Sequence, residues 1–198
     1  VIRAIIFDCF GVIISDALKV VVAELEVSNP AAARQIVDII HANNRGLIVP
    51  AESNRQIAEV LGTSVQAWRK RIDQGEVKDE RALAFIRELR RSYKTALLSN
   101  IGNQSLERRF SDAELRGCFD EVIISGDLGI VKPEPEIYLH AAAELGVEPS
   151  ECVMVDDREK HCDGARATGM QTVLYQNFEQ GRQTNRHCTI HSNRESRK

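Results

Sequence analysis

Five short apolar runs, residues 1–7, 94–98, 121–124, 152–155 and 171–175, punctuate the chain, each about as long as a β-strand and rich in β-branched residues. The gaps after the second, third and fourth runs carry helical periodicity instead. They are NQSLERRF, then EPEIYLHAAAELG with Ile137, Tyr138, Ala141, Ala142 and Leu145 on one face, then KHCDGARATG. Strands separated by helices pair in parallel, because a hairpin turn cannot bring the chain back to the same end of a sheet. The alternation predicts an α/β fold with a parallel sheet of about five strands.

Between the first and second runs the alternation breaks, since residues 8–93 far exceed what one crossover needs. The stretch NPAAARQIVDIIHANNRG supplies its own helix signals: Asn29 as cap, Pro30 in the first turn, Ala33, Ile36, Val37 and Ile40 on one stripe, and Gly46 as the stop. Residues 16–26, 51–61 and 64–73 resemble it, and a last helix over 79–91 leads back to the sheet. Three segments are therefore expected: a core of residues 1–14 and 79–176, a helical insertion of residues 15–78, and a polar, poorly ordered tail of residues 177–198. His187, Cys188 and His191 in that tail lack a second cluster of metal-ligand type to complete a site.

The charge balance narrows the partners. A formal net charge of −3 and a sequence pI near 6.0 provide no basic field for nucleic acid. The opening VIRAIIF is too short for a membrane span or a secretion signal. Five cysteines, odd in number and without a C-x-x-C pair, suit reduced thiols in a cytoplasm. A cytoplasmic monomer or homodimer is expected.

In an open parallel sheet, ligands bind beyond the carboxyl ends of the strands. There the sequence sets Asp8 after the first run, Ser99 and Asn100 after the second, Asp127 and Lys132 after the third, and Asp156 and Asp157 after the fourth. Each has an ordinary structural reading as a cap, a partner of loop amides or a solvated side chain. Together, carboxylates, a hydroxyl and one ammonium are what a hard divalent cation and a phosphoryl group require.

The order IIFDCFGVI, ALLSN, GIVKPEPEIY and VMVDDREKHCDGA resembles the four motifs of the haloacid dehalogenase-like hydrolases, in the branch with a helical cap inserted after the first motif. The resemblance runs to about Tyr175. It implies a Rossmann-like parallel sheet with helices on both faces, a small mobile cap domain, and hydrolysis through a covalent aspartyl intermediate. Asp8 matches the nucleophile, Ser99 the hydroxyl that binds the transferred group, with Asn100 beside it, and Lys132 the ammonium that offsets charge. Mg²⁺ would be held by Asp8, the backbone carbonyl of Phe10 and Asp157, with Asp156 as a second acid. The cap would select a small phosphorylated metabolite, and Arg45 and Arg55 stand where an anion or plain solvent would meet them.

Phe10 departs from the pattern. Phosphatases of this family usually carry at that position an aspartate that protonates the leaving oxygen, a contribution of about 10² to 10⁴ in rate. Three readings follow: a phosphatase whose proton comes from water, the cap or a substitute such as His161; a 2-haloacid dehalogenase, whose halide leaves without a proton; or a catalytically weak binding or regulatory member. The retained Asp156 and Asp157 favour the phosphatase, because dehalogenases need no metal and tend to lose that acidic pair. His161 itself is expected on a helix surface. Gly11 suits a sharp turn just beyond the nucleophile.

Overall fold

Ile5 and Phe7 of the first run enter one apolar cluster and Ala4 and Ile6 another. That two-residue period belongs to a strand buried on both faces. The same division holds for Leu97 against Ala96 and Leu98, and for Val153 and Val155 against Cys152 and Met154. The computed structural model describes residues 1–183. Its strands are β1 (Ala4–Phe7), β2 (Lys94–Ser99), β3 (Glu121–Ile124), β4 (Cys152–Asp156) and β5 (Gln171–Leu174). All pair in parallel, in the order β3-β2-β1-β4-β5. The fold is Rossmann-like α/β.

Helices cover both faces. Leu83, Phe85, Ile86 and Leu89 of α5 (Glu80–Leu89) pack on the first cluster; Ile137, Tyr138, Ala141 and Ala142 of α8 (Pro135–Glu144) and Ala165 of α9 (Glu159–Ala167) pack on the second. From β1 the chain moves outward to β2 and β3, then crosses back to lay β4 on the other side of β1. That reversal opens a crevice at the carboxyl ends of β1 and β4.

Residues between β1 and α5 form four helices: α1 (Ala17–Ser28), α2 (Pro30–Asn44), α3 (Pro50–Val60) and α4 (Val65–Gly75). Asn29 caps α2 by accepting the amide of Ala32 at 3.2 Å, and Pro30 opens the helix as its sequence position predicts. Ala17, Val21, Ile36, Ile57, Ala58, Trp68 and Ile72 bury one another in a cluster distinct from those on the sheet. The chain enters and leaves this bundle side by side, where Ile14 bridges Lys78.

Two expectations fail. Residues 103–110 are turns and bends rather than a helix, with Gln104 at φ 58. The helix starts later, as α6 (Asp112–Cys118), where Ser111 and Glu114 form a reciprocal capping box that satisfies the first amides. The tail is ordered at its start: residues 178–183 are helical, and the Phe178 ring lies edge-on to Phe85 at 6.2 Å. His187, Cys188 and His191 lie outside the described residues. The short α7 (Ser125–Leu128) follows β3. Among the described residues, no helix is long and apolar enough to cross a membrane.

Candidate active site

Asp8 follows directly on β1, with its amide donating to Val155 of β4 at 2.9 Å, so its carboxylate sits at the crevice. It is 5% exposed. Lys132, delivered by the loop between α7 and α8, places Nζ 2.8 Å from Asp8 Oδ1 and 2.7 Å from Asp156 Oδ2. Burial works against the ammonium, yet the two carboxylates hold its pKa above the ordinary lysine value. Asp156 stays below the usual carboxylate range although burial opposes this, because Lys132 and then His161 favour its charge. Asp8 is pushed up by burial, with the charge of Asp156 adding and Lys132 pulling the other way. Two carboxylates about one ammonium leave a site that favours a further cation.

Asp156 is saturated. Its Oδ1 accepts the amide of Arg158 at 2.9 Å, its Oδ2 accepts Lys132, and His161 Nδ1 lies 3.1 Å from both oxygens. Asp8, Asp156 and His161 do bring ligand atoms within 4.8 Å of one another. The Lys132 ammonium supplies positive charge to Asp156 there, so Asp156 anchors Lys132 as well as standing among these candidate ligands.

Asp157 differs in the respect that matters. Its Oδ1 is buried and has no hydrogen-bond partner within the described residues. Mg²⁺ selects hard oxygen ligands, chiefly carboxylates and water. Asp8 and Asp157, at the ends of neighbouring strands, carry oxygens of the type such an ion takes, and Arg158 Nε lies 4.0 Å from the Asp157 oxygen that accepts no hydrogen bond among the described residues. Gly11 makes the approach possible: its φ is +87, and a Cβ there would lie 2.6 Å from the Asp157 carboxylate. The other oxygen of Asp157 accepts Lys19 of α1 at 2.7 Å.

Ser99 ends β2 with its hydroxyl buried and without a hydrogen-bond partner among the described residues. Asn100 is engaged at both ends of its amide. Nδ2 donates to the Lys132 carbonyl at 2.9 Å and Oδ1 accepts the Lys132 amide at 2.8 Å. These contacts fix the backbone of Lys132. Asp127 is exposed on α7.

Phe10 is half-buried, and its ring lies under the guanidinium of Arg109, 5.0 Å from centroid to Cζ. Glu76 grips Arg109 as a fork, with Nε to Oε2 at 2.8 Å, and both side chains are about nine-tenths buried. His161 overturns the helix-surface expectation: it is 8% exposed, and burial lowers its pKa despite Asp156. A neutral ring that donates to Asp156 is oriented as a support for that carboxylate. Cys9, beside Asp8, is an inert thiol whose pKa is driven far up by burial and by the charge of Asp8.

Arg45 donates to the Gly129 carbonyl and pairs with Glu134, while Arg55 pairs on the surface with Glu52 and Glu59. Sequence reasoning missed Lys19, Arg109 and Glu76. Only Lys19 left a local trace, as a lysine in the first turn of a helix that has no acidic residue there.

Residues 2–169 match the family model for haloacid dehalogenase-like hydrolases. The chain is 29% identical over 125 residues to N-acylneuraminate-9-phosphatase of Rattus norvegicus, covering 63% of this chain and 49% of that protein. It thus spans about half the length of that relative. It is 28% identical over 200 residues to D-ribitol-5-phosphate phosphatase of Bacteroides thetaiotaomicron, covering 92% of this chain and 96% of the other. Among solved structures, a family enzyme from Bacteroides thetaiotaomicron in complex with magnesium and inorganic phosphate superposes with a TM-score of 0.74 at 24% identity, over 89% of this chain and 95% of that one. That likeness is one of fold.

Proposed function

This chain belongs to the haloacid dehalogenase-like hydrolases, and from that premise we propose that it is a Mg²⁺-dependent phosphatase acting on a small phosphorylated metabolite through an aspartyl-phosphate intermediate. The observation that carries this reading is the buried oxygen of Asp157, at the strand next to Asp8, that accepts no hydrogen bond among the described residues. A dehalogenase has no use for it. The names of the two phosphatase relatives support the same choice.

In this reading Asp8 attacks phosphorus. Lys132, fixed by Asp156 and by the backbone bonds from Asn100, holds Asp8 in place and offsets charge on the transferred group. The Ser99 hydroxyl binds a phosphoryl oxygen. Mg²⁺, held by Asp8, Asp157 and the carbonyl of Phe10, would supply the charge compensation that lets an anion approach an anion. The bond to the leaving oxygen breaks with its electron pair on that oxygen. Phe10 offers no proton, so the proton comes from water. The four inserted helices act as a cap that admits the substrate.

A second reading is favoured by Phe10 itself: halide needs no proton, and a 2-haloacid could be attacked at carbon by the same Asp8. Phosphate release from an aryl phosphate and an acyl phosphate, with Mg²⁺ and with chelator, and halide release from a 2-haloacid separate the two. The expected result is phosphate release that chelator stops and that Asp8→Asn lowers by at least about 10³. Release that survives Asp8→Asn refutes the nucleophile, and chelator-indifferent halide release establishes the dehalogenase. Silence on all three substrates favours a binding role.

A further inference from the structure

The first turn of α1 reaches the end of β4 with two charges of opposite sign. Asp16 caps the helix with Oδ1, accepting the Lys19 amide at 2.9 Å, and with Oδ2 it takes Arg158 Nη2 at 2.9 Å. Lys19 answers in the other direction, with Nζ 2.7 Å from Asp157 Oδ2. Residues 157 and 158 are thus clasped from the inserted bundle by a cation and an anion three positions apart. A lysine in this turn faces the positive end of the helix dipole, a local cost that the nearby Asp157 carboxylate offsets.

The two halves of the clasp differ in the freedom they leave. Lys19 keeps 55% of its side chain exposed, so its ammonium can swing into solvent without being stranded, while Asp157 is only 12% exposed and stays put. Asp157 is also the carboxylate whose buried Oδ1 accepts no hydrogen bond among the described residues, with Arg158 Nε 4.0 Å from it. An ammonium on one oxygen of a carboxylate and a divalent cation on the other are like charges a few ångströms apart.

We propose that Lys19 is an intrinsic counter-cation for Asp157, one that a divalent ion must displace, so that cation binding opens the Lys19 half of the clasp between α1 and the end of β4. The proposal rests on the reading of Asp8 and Asp157 as cation ligands. When the ion binds, Lys19 withdraws to solvent and only the Asp16–Arg158 half of the clasp remains. When the ion leaves, Lys19 returns, and Asp157 never sits uncompensated. The cation affinity of the site is thereby set below what its carboxylates alone would give.

The test is Mn²⁺ binding to the full chain without substrate, measured by electron paramagnetic resonance of free Mn²⁺ and by calorimetry with Mg²⁺. Lys19→Met removes the charge and keeps the bulk of the stem; Lys19→Arg keeps the charge. The expected result is a dissociation constant about tenfold lower or more in Lys19→Met, a figure in keeping with one screened repulsion at this range, and close to wild type in Lys19→Arg. Equal or weaker binding in Lys19→Met overturns the proposal, as does equal tightening in both variants. If wild type and Lys19→Met bind no ion, or if Asp157→Asn binds as well as wild type, the cation site itself is refuted and the proposal falls with it. Binding that Asp157→Asn abolishes and Lys19→Met leaves unchanged refutes the proposal alone.

Discussion

In the proposed mechanism, Phe10 decides what kind of bond this site can break. A carboxylate nucleophile needs only charge compensation to attack, but an alkoxide leaves slowly unless it receives a proton, and a phenyl ring cannot give one. Phe10→Asp therefore raises turnover of an alkyl phosphate by about 10² while changing that of an aryl phosphate, whose anion leaves readily, by much less. Steady-state rates on the two substrates check this, and a proportional change in both refutes the missing proton as the limiting factor. The positions of Asp8, Lys132 and Ser99 were legible in the sequence because each ends a strand or follows one at a fixed place. Those of Asp156 and Asp157 were only half legible. Adjacent aspartates look alike in one dimension, yet they point to different partners: Asp156 into Lys132 and His161, Asp157 toward Gly11 and Lys19.

At the scale of elements, α6 shows how a local signal overrides a pattern. Leu106 and Phe110 stand four apart and read as a helix face, but the reciprocal bonds of Ser111 and Glu114 start the helix beyond them. Glu114 also pairs with Lys78, at the exit from the inserted bundle. Lys78, followed by the Ser111 amide and hydroxyl, pulls the Glu114 pKa from its ordinary 4.5 down to about 2. A carboxylate whose folded pKa is depressed stabilises fully above its unfolded pKa and loses that contribution as pH falls through the folded value. Glu114→Gln should thus melt below wild type at about pH 6, by what a cap worth roughly 0.5–2 kcal/mol implies, and the gap should close toward about pH 2. Melting curves at the two pH values check it; a gap independent of pH contradicts it.

Across the whole molecule, charge joins the inserted helices to the sheet domain. Arg109 to Glu76, Arg108 to Asp73, Arg45 to Glu134, Lys19 to Asp157 and Arg158 to Asp16 all run from bundle to core. Most are exposed and contribute little to stability. Arg109 and Glu76 are the exception, both about nine-tenths buried. Removing Arg109 leaves buried Glu76 only the more distant Arg108 at 3.9 Å, so Arg109→Ala costs about 3 kcal/mol, whereas replacing both with Arg109→Met and Glu76→Leu costs much less. Urea unfolding of the single and double variants measures the difference. Equal losses in the two would show that packing, not the stranded charge, sets the cost.

The sequence by itself determined the parallel sheet, the inserted helices and the line of reactive groups at the strand ends. These rest on periodicity, caps and motif order, which act over a few neighbouring residues. Only the tertiary structure decided that His161 is buried, that Phe10 lies beneath Arg109, and that Lys19 reaches Asp157. Those facts join residues as far apart as 19 and 157, and the charge state of a group depends on the burial and partners it acquires when the chain closes. No local pattern records such proximity.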